Sequence, residues 1–139
     1  MSVVLRKEPS NLKNINFNFK DNSDFGMINL CCWQKDLQNI EHPNKIVLNN
    51  EKVQIYYPMF DHYYTKTYTN QSGFTLKQLV DRIVKVGNQA GKYHAKHHPQ
   101  DYTGEPDPSA MTGEYAITWS PQGSDLKYKG SKVFVTLQH

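Results

Sequence analysis

The stretch from Phe74 to Pro99 constrains this chain more than any other segment. Projected at 100° per residue, Leu76, Leu79, Val80, Ile83, Val86, Gly87 and Ala90 fall on one stripe, and Lys77, Asp81, Lys85, Asn88, Lys92 and Lys96 lie opposite. Thr75 is placed to cap the first turn, Gln78 to reach back as its capping-box partner, and Phe74 to staple onto Leu79. Pro99 disfavours helical geometry at His98, so the spacing predicts one long helix over 75–98. A helix with a single apolar stripe needs a second layer to bury it.

The remaining apolar residues alternate as strands do. Ile15, Phe17 and Phe19 alternate with Asn16, Asn18 and Lys20, the period of a half-buried strand. Met27 to Trp33 is apolar apart from Asn29 and reads as a buried strand, with a short helix ending near Leu37 as the competing reading. Pairing Leu48 with Val53 and Ile46 with Ile55 puts four apolar side chains on one face around a turn at 49–52, which predicts a hairpin. The aromatic run from Tyr56 to Tyr68 contains Pro58 and has no clean alternation until Tyr64, Lys66 and Tyr68, so it reads as strand interrupted by a bend. Residues 101–111, with Gly104, Pro106 and Pro108, read as a loop. Tyr115, Ile117 and Trp119 then alternate, residues 120–123 suit a turn, and a two-residue turn at Gly130-Ser131 sets Tyr128 against Val133 and Leu126 against Val135, for a closing three-stranded meander.

The expectation is therefore an α+β fold: an antiparallel β-sheet of hairpins packed against one long amphipathic helix. At 139 residues, with nine Tyr, six Phe and two Trp to fill a core, the chain suits a single globular domain over 1–139. Residues 1–12 read as a flexible N-terminal arm whose Val3, Val4 and Leu5 are suited to pair with a sheet edge.

Composition removes several function classes. No apolar run approaches the roughly 18 residues of a membrane span, and the first dozen residues hold no apolar core of signal-peptide length. Cys31 and Cys32 are adjacent, so a bond between them would constrain no long loop; they read as reduced, buried thiols, and the expected location is cytoplasmic. The net charge is only +3, and 14 of 16 basic residues are Lys rather than the bidentate Arg. Nucleic-acid binding is accordingly the weaker expectation. Ser-centred elbows, phosphate loops and dinucleotide fingerprints are missing.

Chemistry concentrates at the end of the helix. His94, His97 and His98 lie on its apolar side, and His94 and His98 are one turn apart, so their rings can converge. These two are the candidate metal ligands, with Asp101, Glu105, Asp107, His62 or His139 available to complete a site. His97 and His98 project about 100° apart, so the three helical imidazoles do not easily share one ion. His94, His97, His98 and Asp101 are the candidate catalytic residues for acid/base work. The plainer reading is that the histidines plug the edge of the core and favour the helix C-terminus when protonated.

The sequence HHP at the end of a helix, followed by a strand reading KVFVTLQH, resembles pterin-4a-carbinolamine dehydratase over the last half of the chain. That resemblance implies dehydration of a hydroxylated substrate by helix histidines, with His97 and His98 matching the family pair and His139 the later histidine. Tyr93 stands where the family pattern has a polar or charged residue, and a loop and an extra strand lengthen the spacing to the VTL strand.

A second cluster, Tyr56, Tyr57, Tyr63, Tyr64 and Lys66, is a candidate binding surface, either a protein hot spot or a stacking platform for unpaired bases. With aromatic and strand-forming surface plentiful and no complete catalytic constellation, the leading expectation is a small interaction protein that binds a protein partner or its own copy. A histidine-based or metal-dependent enzyme and a weak nucleic-acid-binding module stand behind it. No cofactor is assigned.

Overall fold

A computed structural model describes residues 1–20, 26–102 and 115–138. The chain builds an α+β architecture in which one long helix, α2 (Leu76–His97), lies on the inner face of a mixed, mainly antiparallel sheet. That sheet contains β1 (Ser2–Leu5), β2 (Lys13–Asn14), β5 (Lys52–Met59), β6 (His62–Thr69), β10 (Leu126–Lys129) and β11 (Lys132–Val135). Their order across it is β1-β6-β5-β11-β10-β2. A second sheet joins β3 (Gly26–Asn29), β8 (Ala116–Ser120) and β9 (Gly123–Ser124), and a two-stranded ladder joins β4 (Ile46–Leu48) to β7 (Phe74–Thr75).

The helix forms where its local chemistry dictates. The Thr75 hydroxyl accepts from the Gln78 backbone N–H at 3.1 Å, and the Gln78 side chain accepts from the Thr75 N–H at 2.9 Å, closing the expected capping box. All seven stripe residues from Leu76 to Ala90 are buried. Close approach is possible because Gly87 lacks a side chain: a Cβ there would stand 2.7 Å from the Tyr57 ring on β5. His98 caps the other end, its backbone N–H donating to the His94 carbonyl at 2.7 Å.

Several strands follow the expected pattern. Ile15, Phe17 and Phe19 are buried while their neighbours are exposed, although only Lys13–Asn14 enters the ladder. The arm docks: β1 pairs antiparallel with β6, Val4 opposite Tyr63. The β10–β11 hairpin has the expected register, Tyr128 opposite Val133 and Leu126 opposite Val135.

Other expectations are corrected. The 46–55 hairpin does not form; Ile46 pairs with Thr75 and Leu48 with Phe74, whereas β5 pairs along eight residues with β6 and in parallel with β11. Both edges of β5 are thus taken, one of them by an eight-pair ladder with β6 that a three-residue strand cannot match. The bend expected within the aromatic run is present and falls at Phe60-Asp61, with Phe60 in the left-handed region at φ 54°, while Pro58 pairs with Tyr63 inside the ladder. Pro58 lies beyond the stretch of β5 that β11 covers, so its missing N–H breaks no ladder on that side. The run after Met27 is a strand only to Asn29 and then becomes short helical turns through Asn39, α1 (Trp33–Asp36) among them. Nor is there a closing three-stranded meander: β8 pairs with β3 and β9 in the second sheet, and the chain crosses back at Asp125. There the Asp125 carboxylate accepts from the Thr118 N–H and hydroxyl at 2.8 and 2.7 Å and from the Gln138 side chain at 3.2 Å. Cys31 and Cys32, expected to be buried, are exposed at the start of the helical turns, and the neighbouring Cys32 thiol pushes the Cys31 thiol above its ordinary range.

Among the described residues, no helix is long and apolar enough to cross a membrane.

Candidate metal centre

Three elements meet at the C-terminal end of α2. The Phe60-Asp61 turn places His62 at the first position of β6, and the helical spacing of four residues brings His94 and His98 to the same side. Their rings form a tight group: centroids of His94 and His98 lie 4.5 Å apart, His62 and His98 5.4 Å, and His62 and His94 6.1 Å. One ring nitrogen from each of the three lies within 4.8 Å of the others.

Burial differs across the group. His94 is only 1% exposed, while His62 and His98 are half-buried at its mouth. Phe60 stacks on the His94 ring at 4.9 Å with an interplanar angle of 16°, closing one side with an apolar wall. The hydroxyl of Tyr64, itself fully buried, is hydrogen-bonded to His94 Nδ1. Nδ1 of His62 is buried and has no hydrogen-bond partner among the described residues. A buried polar atom in that condition costs about 1–3 kcal/mol, which makes it a natural place to look for a ligand.

The sequence-derived residues separate on this geometry. His94 and His98 come together as expected, and His62, one of several proposed completing residues, joins them. His97 does not; it is exposed and lies against Tyr93, ring centroids 4.2 Å apart. The pair implied by the dehydratase resemblance therefore faces two environments. Asp101 sits in the 3-10 turn Pro99–Tyr102, but its side chain, like Glu105, Asp107 and His139, falls outside the described residues.

The tyrosine cluster also splits. Antiparallel partners share a face, and Ile55, Tyr57 and Tyr64 turn toward α2, whereas Tyr56 and Tyr63 turn away. Lys66, opposite Ile55, lies on the helix side and donates to Gln89 of α2 at 3.3 Å. The five residues do not form one surface. Sequence reasoning missed Tyr64 as a partner of His94 and Phe60 as its wall; the β5–β6 register would have supplied both, but no Gly or Asn marks the turn that sets it.

Comparison with known proteins returned no matching family model, no matching curated protein and no matching solved structure.

Proposed function

We propose that this domain binds a divalent first-row transition ion, zinc first among them, through His62, His94 and His98. The single observation that carries the reading is the convergence of three imidazole nitrogens within 4.8 Å at the end of a rigid helix. Tetrahedral zinc with Zn–N bonds of about 2.0–2.1 Å needs its ligand atoms about 3.4 Å apart. The group therefore has to contract by roughly 1.4 Å at most, within the reach of small side-chain rotations. With Nδ1 of His94 engaged by Tyr64, Nε2 is the atom that would coordinate, and the phenol fixes the ring as outer partners of metal-bound histidines do.

Three neutral imidazoles leave a tetrahedral ion one position for water or substrate, the arrangement of Lewis-acid hydrolytic sites. This favours the metal-dependent enzyme reading over general acid/base chemistry at His97 and Asp101. Elemental analysis after dialysis against metal-free buffer tests it. One ion per chain, lost in His62→Ala and His98→Ala without loss of fold, is expected; a metal-free protein that takes up no zinc on titration contradicts it.

Self-association is a second reading, supported by β1. This strand forms one edge of the large sheet and exposes Val4 by 43% and Leu5 by 76%. An apolar edge strand is a template for pairing with a second copy. Sedimentation would then show a dimer that Leu5→Lys disperses, and a monomer at high concentration would remove the reading.

A further inference from the structure

We infer that the outer face of the six-stranded sheet, the one turned away from α2, is a binding surface for single-stranded nucleic acid. This inference is independent of the metal centre, which lies on the helix side of the same sheet.

The first support is charge. The six strands β1, β2, β5, β6, β10 and β11 contain six lysines and not one Asp or Glu. Register assigns four of those lysines to the outer face. Lys127 is opposite Phe134, Lys129 is opposite Lys132, Lys132 pairs with Gln54, and Lys52 alternates with the inward Val53. Arg6, just past β1, adds a fifth cation, with its guanidinium 5.9 Å from the centre of the Tyr63 ring. The whole chain carries only +3, so this density of cations on one face is a local property that overall composition conceals. Burial pushes the Tyr63 phenol up, the Arg6 guanidinium opposes it, and the Glu8 carboxylate adds to it.

The second support is a built aromatic step in the middle of the cations. Tyr56 stacks on Phe134 at 4.5 Å and 25°, and Tyr63 meets both rings edge-on at 5.7 and 5.8 Å. Tyr63 and Phe134 are buried yet lie outside the main core, so the outer face has its own small aromatic base. Tyr56 is the half-exposed member. Its hydroxyl donates to Gln54 at 3.1 Å, and Gln54 donates to Thr65 at 3.3 Å, which holds the ring in place before any ligand arrives. Lys132 stands over the same ring, its ammonium 5.8 Å from the centroid. A base that stacks on Tyr56 thus brings its phosphate within reach of Lys132.

This combination selects the ligand class. Phosphates supply the negative charge, an unpaired strand presents a bare base face to a fixed aromatic ring where a duplex hides it in its own stack, and cations spread over several strands suit a run of phosphates rather than one nucleotide. An anionic lipid surface or an acidic protein would use the lysines but not the Tyr56 step.

The test is fluorescence anisotropy with labelled oligothymidylate and oligouridylate of about twelve nucleotides, inside the usual site-size range, and with a duplex of similar charge. Expected are binding of a single strand in preference to the duplex, and a log K against log salt slope of about −3, for four neutralised phosphates. Tyr56→Ala should weaken binding at least about fivefold and Tyr56→Phe should leave it nearly intact, since stacking is worth about 1–3 kcal/mol per base. A Lys127→Glu/Lys129→Glu/Lys132→Glu variant that melts like the parent should lose binding. No binding at low salt, equal binding of the duplex, indifference to Tyr56→Ala, or a preference for phosphatidylserine vesicles over the oligonucleotides would each overturn the inference.

Discussion

Tyr64 on β6 and His94 on α2, thirty residues apart in the chain, are joined by a hydrogen bond between the phenol and Nδ1 inside the core. Strand and helix are thereby registered on each other at the point where the imidazole cluster opens. Tyr64→Phe keeps the ring and removes the hydroxyl. Outer partners of metal-bound histidines are worth about 10–100-fold in metal affinity. Calorimetric titration should show zinc binding weakened by at least about tenfold, and thermal melting should show a loss of about 1–3 kcal/mol. Unchanged affinity would mean that the phenol only fills space.

Gly87 makes the helix–sheet distance a second testable quantity. Alanine is the better helix former by about 1 kcal/mol on an exposed surface, but here its Cβ would lie 2.7 Å from two atoms of the Tyr57 ring and 2.9 Å from its hydroxyl. Tyr57 is fully buried and has little room to move. Gly87→Ala should therefore destabilise by about 1–3 kcal/mol, measured by urea unfolding, with zinc affinity falling too because His94 rides on the same helix. A stabilised variant would contradict the packing described.

Asp125 carries the corner between the two sheets. Three donors converge on its carboxylate, and its backbone N–H and carbonyl bond to Thr118 and Thr136 at 2.9 and 2.8 Å. A hydrogen bond to a charged acceptor contributes about 1.5–3 kcal/mol, and three on one half-buried carboxylate do not add in full. Asp125→Ala should cost about 2–4 kcal/mol in denaturant unfolding, and Asp125→Asn less.

Tyr68 links pH to stability. Burial pushes its phenol above the ordinary range, with the Arg82 guanidinium opposing, and its hydroxyl is buried without a partner among the described residues. A raised folded-state value means that the neutral phenol is favoured by folding. Its contribution is complete below about pH 10, the ordinary phenol value, and is lost as pH rises through the higher folded value. Tyr68→Phe should melt at or above the parent temperature at neutral pH and show a shallower decline at alkaline pH. A clear loss of stability at neutral pH would show that the hydroxyl is satisfied.

How much of this was legible in the sequence follows from how local each signal is. The Thr75–Gln78 box, the stripe from Leu76 to Ala90 and the 126–135 hairpin register depend on neighbours within a few residues, and the sequence predicts all three correctly. The 46–55 hairpin fails because β5 is settled by competition from distant β11, which no local pattern reports. His94 and His98 can be paired by helical spacing alone, but His62 reaches them only through a turn at Phe60-Asp61 built without Gly. The basic outer face is only partly local: Lys127, Lys129 and Lys132 share one hairpin, whereas Lys52 from mid-chain and Arg6 from the N-terminal arm join them through strand order.

Cobalt(II) titration followed by visible absorption examines the proposed centre at the level of its geometry. Binding by His62, His94 and His98 predicts intense four-coordinate d–d bands that saturate at one equivalent, bleach on addition of zinc, and fail to develop in His62→Ala or His98→Ala. Absent bands, or weak six-coordinate bands unchanged by either substitution, would contradict the three-histidine centre.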